Sequence, residues 1–345
     1  MKIIANLFLC FIVLFSACKS NDTKTAHSAA SNYHDTTGRT DIFTGGVQMI
    51  PIQTAKGTFN VWTKRVGNNP KTKVLLLHGG PGGTHEYFEC FDSFFPQEGF
   101  EYYYYDQLGS AYSDNPKDSS LWTIERFVEE VETVRKALKM DSTNFILLGH
   151  SWGGILATEY ALKYQQNLKG LVISNMVPSV PEYNAYANNV LGPKLPKDIL
   201  ASIRSYEAKG DYTNPTYLKL IEDNYYPEHV LRMPPATWPD PVKRAFAKMN
   251  YPLYLKMQGP SEFGIVGDAS LKNWNRKPDL NKIKVPVLSI GGEFDTMDPK
   301  AMEEISKLVP NGQYLYCSKG SHMSMYDDQQ TYFTGLIKFI KGLEK

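Results

Sequence analysis

From residue 145 the chain runs through a short continuous apolar stretch, Phe145 to Leu148, straight into Gly149-His150-Ser151-Trp152-Gly153-Gly154 and then into a helical stripe of Ile155, Thr158 and Leu162. An apolar run without alternation predicts a strand buried on both faces. A G-x-S-x-G turn between such a strand and a helix predicts a sharp elbow that exposes the serine hydroxyl. The flanking glycines are needed because the backbone must close tightly there. The helix that follows would aim its first N–H groups at negative charge building near Ser151. His150, adjacent on the tight turn, is expected to point away from the Ser151 hydroxyl and to pack or support the site.

Seven further segments read as strands. Val47 to Ile52 and Thr58 to Val66 alternate around a turn at Lys56-Gly57. Val74 to Leu77, Tyr102 to Tyr105, Leu171 to Ile173, Val285 to Ile290 and Gln313 to Cys317 are short apolar runs. Helical patterns lie between them. Phe127, Val131, Val134 and Leu138 make one stripe after Thr123, and Lys300 to Leu308 and Tyr332 to Leu343 supply two more. Strands alternating with helices predict a mostly parallel sheet flanked by helices. With the serine elbow, this is the α/β-hydrolase fold. The stretch 178–271 interrupts the alternation. It is rich in Pro, Tyr and Asn, and Pro193, Pro196, Pro215, Pro227, Pro234, Pro235, Pro239 and Pro241 divide it into short pieces. An inserted helical cap is expected there, between a first part of the hydrolase core at 45–177 and a second at 272–345.

The N-terminus differs in kind. Met1-Lys2 precedes an apolar run from Ile3 to Phe15, broken by Asn6, and then Ser16-Ala17-Cys18. This is the pattern of an export signal, over residues 1–17. The run is shorter than the roughly 20 residues of a membrane span. Phe15-Ser16-Ala17-Cys18 resembles a bacterial lipobox, with Phe15 in the usual Leu place, which implies that Cys18 becomes the first mature residue and carries lipid. Residues 18–44, polar and small, read as a flexible tether. The expected product is an exported bacterial lipoprotein, held to a membrane through its lipid anchor only and facing the periplasm or the cell exterior. Cys10 leaves with the signal. Cys90 and Cys317 show neither metal spacing nor a disulfide framework, and Cys317 in its apolar stretch reads as a buried thiol.

Lys and Arg total 37 against 36 Asp and Glu, a balance that argues against a nucleic-acid partner and against bulk attraction to an anionic surface. The chemistry therefore rests on the loops. His78-Gly79-Gly80-Pro81-Gly82-Gly83 follows the strand ending at Leu77. In this fold that loop supplies one oxyanion donor and the residue after the serine the other, so the backbone N–H groups of Gly80 and Trp152 are the candidates. A phosphate-binding loop would need a Lys-Ser/Thr or G-x-G-x-x-G arrangement, which is missing. The acid and base should follow in the order Ser, Asp, His. Gly291-Gly292-Glu293-Phe294-Asp295 follows one strand and Gly320-Ser321-His322 the next, which brings Asp295 and His322 to the sheet edge that carries Ser151. Ser151 is thus the candidate nucleophile, His322 the base and Asp295 the residue that orients it. Glu293 and Asp298 are rival acids, Asp298 with an N-cap as its plainer role.

Taken together, His78-Gly79-Gly80-Pro81-Gly82, Tyr105-Asp106-Gln107-Leu108-Gly109-Ser110, Gly149-His150-Ser151-Trp152-Gly153-Gly154, Gly291-Gly292-Glu293-Phe294-Asp295 and Ser321-His322-Met323 resemble the proline iminopeptidase family of serine aminopeptidases, from about residue 45 to the end. The resemblance implies removal of an N-terminal residue, often proline, from short peptides, without a metal or cofactor. It also implies carboxylates in or near the cap that bind the substrate's free amine. Gly259-Pro260-Ser261-Glu262-Phe263 resembles a segment that supplies one, which makes Glu262 the candidate. Where the family often has a second Glu after the catalytic Asp, this chain has Thr296, and His150 replaces a common Gln.

The expected substrate is a short peptide or another small aminoacyl compound. An esterase, lactonase or amino-acid amidase using the same three residues is the alternative. A silent binding protein would have no use for a complete set of such residues, and a metal hydrolase would show an H-E-x-x-H or Cys-rich cluster. The anchor is open to direct test: processing and detergent-phase partitioning should both be lost in Cys18→Ser. A Cys18→Ser protein that still partitions with membranes would exclude the lipobox reading.

Overall fold

The computed structural model describes residues 33–344. The signal segment 1–17, Cys18 and the tether as far as residue 32 lie outside the described residues. Eight strands form one sheet: β1 (Val47–Thr54), β2 (Gly57–Val66), β3 (Lys73–Leu77), β4 (Glu101–Asp106), β5 (Phe145–His150), β6 (Gly170–Ser174), β7 (Val287–Gly292) and β8 (Gly312–Cys317). Their order is β1-β2-β4-β3-β5-β6-β7-β8. The β1–β2 hairpin is antiparallel, β2 runs antiparallel to β4, and every other pair is parallel. Each run expected as a strand is one, with ends shifted by a few residues.

Burial explains why those runs are apolar. β3, β4, β5, β6 and β7 are buried at every position, as parallel strands covered by helices on both faces must be. The edge strands β1 and β8 keep exposed positions. From β3 the chain moves outward to β4 and then returns to β5 on the other side. The order reverses at β3, so the loops after β3 and β5 part and leave a crevice at their carboxyl ends.

The flanking helices follow from local signals. α1 (Ile124–Ala137) starts at Thr123, whose hydroxyl accepts from the Arg126 N–H, and it buries Phe127, Val128, Val131 and Val134. α2 (Trp152–Tyr164) begins directly after Ser151 and is buried along most of its length. Between β6 and β7 come α3 (Val180–Tyr186), α4 (Lys197–Ala208), α5 (Pro215–Asn224), α6 (Tyr226–His229), α7 (Asp240–Ala247) and α8 (Tyr251–Met257). The prolines here start helices as well as ending them: α5, α6, α7 and α8 each carry Pro in the first two positions, where a missing N–H costs nothing. α9 (Pro299–Leu308), α10 (Ser324–Asp327) and α11 (Gln329–Gly342) complete the chain. Cys90 and Cys317 are free thiols, Cys317 buried.

One expectation needs correction. The tether assigned to residues 18–44 is not free over its last stretch. The Tyr33 ring packs so closely on Gly67 that a β-carbon there would lie 2.4 Å from it. Arg39 reaches the buried Glu101 at 2.7 Å, and Asp41 pairs with the largely buried Arg65 at 2.9 Å. Ion pairs of this kind leave no apolar period, so sequence patterning does not reveal them. They tie the approach to β1 onto β2 and β4. A chain starting at residue 45 should therefore be less stable than one starting at residue 33 by about 1–3 kcal/mol, because Glu101 and Arg65 each lose a partner. For a domain of this size that is roughly 2–5 °C in Tm. Equal Tm values in thermal unfolding would show that the segment carries no load.

Candidate active site

The turn from β5 into α2 leaves no room for side chains other than that of Ser151 and its neighbours in the helix. A β-carbon at Gly149 would meet the Gly153 carbonyl oxygen at 1.9 Å, and one at Gly153 would meet the Leu77 carbonyl oxygen at 2.1 Å. Closing the turn puts Ser151 at φ 55 and ψ −126, a costly conformation for a residue with a β-carbon. Its N–H donates to the Ser174 carbonyl of β6 at 3.0 Å, which helps hold the strained residue. Gly79 faces it so closely that a β-carbon there would lie 3.0 Å from the Ser151 β-carbon.

Asp295 and His322 reach the same edge from the ends of β7 and β8. The His322 Nδ1–H donates to Asp295 Oδ1 at 2.9 Å, which leaves Nε2 for the cavity that His322 and Ser151 both line. Asp295 is fully buried and well supplied with donors. Asn175 Nδ2 donates to its Oδ2 at 2.8 Å, and the Met297 N–H and the Thr296 hydroxyl each reach Oδ1 at 3.2 Å. Burial alone would lower the His322 pKa. The Asp295 charge and hydrogen bond outweigh it, and the imidazole ends above its ordinary value of 6.5. The rival acids are engaged elsewhere. Glu293 accepts from the Tyr316 hydroxyl at 2.5 Å, and Asp298 caps α9 by accepting from the Lys300 N–H at 2.9 Å. Sequence reasoning missed Asn175. The available signal was an Asn directly after the apolar run of β6, since Asn tolerates the left-handed backbone it adopts there, φ 52.

The glycine loop after β3 is shaped by the same crowding. Gly80 has φ 113, and a β-carbon on it would lie 2.4 Å from the Gly83 nitrogen. The Gly79 N–H donates to the Tyr87 hydroxyl at 2.5 Å, whereas among the described residues nothing accepts the Gly80 N–H. The Trp152 N–H is the first of α2 and has no partner within the helix. Gln107 ties the two loops together. Its carbonyl oxygen accepts from the Trp152 indole at 2.8 Å, and its amide donates to the His78 carbonyl at 3.1 Å. The Tyr105–Ser110 motif thus acts on the site from behind.

Above these groups lies a cavity of about 260 Å³. Gly80, Thr84, Tyr87, Ser151 and His322 line it from the sheet side, and Leu218, Tyr226, Phe246, Met249, Tyr254 and Glu262 from the insertion. Backbone hydrogen bonds stitch those helices to the loops beneath. The Asn250 N–H donates to the Gly82 carbonyl at 2.8 Å, the His322 N–H to the His229 carbonyl at 3.0 Å and the Met323 N–H to the Val230 carbonyl at 2.9 Å.

Glu262 is buried in the cavity wall. Its Oε1 accepts from the Tyr254 hydroxyl at 2.6 Å, and its buried Oε2 has no partner among the described residues. Burial raises its pKa above the ordinary carboxylate value, with Asp295 adding to the effect and His322 and the Tyr254 hydroxyl opposing it. Glu222, a residue that sequence reasoning did not single out, adds a second, exposed carboxylate to the lining. Thr296 is fully buried with its hydroxyl on Asp295 and is not part of the cavity lining.

Residues 72–329 match the family model of the alpha/beta hydrolase fold. The chain is 60% identical over 295 residues to a proline iminopeptidase of Flavobacterium johnsoniae, a match covering 86% of this chain and 98% of that one. It is 58% identical to a proline iminopeptidase of Elizabethkingia meningoseptica, with the same coverage. The crystal structure of the Mycobacterium smegmatis proline iminopeptidase superposes with a TM-score of 0.76 at 27% identity, covering 86% of this chain and 98% of that one. With its elbow, its oriented imidazole and this degree of likeness, the chain belongs to the proline iminopeptidase family of α/β hydrolases.

Proposed function

We propose that this protein is a serine aminopeptidase that releases an N-terminal residue, proline or another, from short peptides through an acyl-enzyme. The observation that carries the reading is Glu262: a buried carboxylate oxygen without a partner among the described residues, in the same cavity as Ser151 and His322. An unpaired buried acceptor is costly. The substrate's terminal ammonium group supplies the missing donor and a compensating charge, in a site where such a contact is worth more than at a surface.

The reaction then follows from the geometry. The ammonium group seats on Glu262 and sets the first carbonyl carbon against Ser151. The Ser151 oxygen attacks, its proton passes to His322 Nε2, and the carbonyl oxygen takes negative charge. The N–H groups of Gly80 and Trp152 stabilise that charge, and Asp295 stabilises the imidazolium. Collapse breaks the peptide bond, and His322 returns the proton to the departing amine. Water, activated by the same imidazole, cleaves the acyl-enzyme and frees the amino acid. The inserted helices act as the cap that excludes bulk water. The signal pattern and Cys18 support an exported, lipid-anchored enzyme that meets peptides outside the cytoplasm.

Removing the charge of Glu262 should separate this reading from an esterase, lactonase or simple amidase. Glu262→Gln is expected to lower kcat/KM for aminoacyl amides by roughly 10- to 100-fold, about 1.4 to 2.8 kcal/mol, while N-acetylated amides and plain esters change little. Equal losses on free and blocked substrates would reduce Glu262 to a structural group. A wild-type preference for blocked substrates would move the protein to the esterase class.

A second expectation concerns pH. His322 must be neutral to take the Ser151 proton, so activity falls as pH drops through its pKa. Because Asp295 holds that pKa up, the acid limb of kcat/KM should lie above pH 6.5. Asp295→Asn should shift the limb down and lower kcat by about 10³- to 10⁴-fold. An unmoved limb would mean that another group sets it.

A further inference from the structure

Beside Ser151, in the same cavity wall, runs a chain of buried polar groups that the reaction scheme does not use. The Gly79 N–H meets the Tyr87 hydroxyl at 2.5 Å, the hydroxyl meets His150 Nδ1 at 3.0 Å, and His150 Nε2 meets the His322 carbonyl at 2.8 Å. One end is the glycine loop pressed against Ser151. The other is the main chain of the residue assigned as base. We propose that Tyr87 and His150 are positioning residues for the acyl transfer, holding the oxyanion loop and the His322 loop at a fixed separation on either side of the nucleophile. This rests on the serine acyl-transfer reading given above.

The direction of every bond follows from donor and acceptor chemistry. A carbonyl oxygen only accepts, so His150 Nε2 carries the hydrogen shared with the His322 carbonyl. In a neutral imidazole Nδ1 then has a lone pair, which takes the Tyr87 O–H. The phenol oxygen, having donated its one hydrogen, accepts from the Gly79 N–H. An Nε2 without its hydrogen would set two acceptors against each other at the His322 carbonyl, and a Tyr87 O–H turned toward the Gly79 N–H would set two donors against each other. With a neutral His150 the chain therefore has a single arrangement.

The surroundings keep it so. Burial, aided by the nearby His322, pushes the His150 pKa down to about 3. Burial drives the Tyr87 phenol well above its ordinary value, so its hydroxyl stays protonated. The His150 and His322 ring centroids are 5.0 Å apart, and a cation on His150 would oppose the imidazolium that His322 becomes during the reaction. The Phe88 ring packs edge-on against His150, and the Tyr326 hydroxyl donates to the Tyr87 carbonyl at 2.8 Å, fixing the base of the chain. Meanwhile the His322 N–H is held from above by the His229 carbonyl. The peptide groups on both sides of His322 are thus tied, one to the inserted helices and one to β5.

The test is steady-state kinetics on an aminoacyl amide, with Tm and stoichiometric phosphonate labelling of Ser151 measured alongside. Labelling at Ser151 in the wild type checks the acyl-transfer reading by itself. Tyr87→Phe and His150→Leu should each lower kcat about 10- to 100-fold with KM within about 3-fold, and the double variant should be little worse than either single one, because both break the same chain. His150→Gln offers an amide N–H to the His322 carbonyl and an amide oxygen to Tyr87, and should recover most of the loss. Wild-type kcat in His150→Leu, a Gln variant as poor as the Leu variant, or multiplicative losses in the double variant would each overturn the proposal. If His150→Leu does not fold, Tyr87→Phe, which removes a single oxygen, decides the matter by its kcat and KM.

Discussion

No side chain larger than hydrogen fits at Gly149 or Gly153, where β5 turns into α2, because the carbonyl oxygens of Gly153 and Leu77 fill the space. The chain closes this turn only by placing Ser151 in a conformation that L-residues avoid. Strain of that size persists only where the surroundings over-determine it. Here they are β3 and β6 on either side of β5, the Ser174 carbonyl that takes the Ser151 N–H, and the all-round burial of α2. The apolar character of β3, β5 and β6 is thus a condition of the site as well as of the core.

From that fixed point the other groups need only arrive at the right edge. Asp295 and His322 do so because β7 and β8 run parallel to β5 and end two residues past its level, so two short loops deliver a carboxylate and an imidazole to the mouth of the crevice. The inserted helices are joined to these loops through main-chain hydrogen bonds at Gly82, His322 and Met323. Such bonds do not depend on the side chains that make them. The insertion can vary the lining of the cavity, at positions such as Leu218 and Phe246, without disturbing the loops beneath.

The sheet was legible in the sequence because burial on both faces writes itself as uninterrupted apolar runs. Ser151, Asp295 and His322 could be named because each follows such a run by a few residues, and Gly80 because only glycine builds its loop. What stayed hidden has no period. The anchoring of residues 33–44 depends on Arg39 and Asp41 finding Glu101 and Arg65, partners from other strands. Asn175 steadies Asp295 across 120 positions of chain. The Tyr87–His150 chain needs a 3₁₀ segment, His85–Ser93, whose pattern shows neither helix nor strand. The prolines of the insertion read as breaks, although several of them open helices, since a breaker and a first-turn residue look alike until the caps are known.

The unpaired oxygen of Glu262 also bears on what the enzyme can see. In the function proposed above, this carboxylate sunk in the cavity wall receives the terminal amine and works as a stop against which the substrate is pushed. Distance from that stop to Ser151 is fixed, so cleavage falls at a set length from the chain's beginning whatever the sequence beyond. Folded proteins with a tucked amino end, and chains whose first residue is acylated, never reach the stop and pass unread. Selectivity of this kind is a count taken from one end, and it spares intact proteins while loose peptide fragments are trimmed.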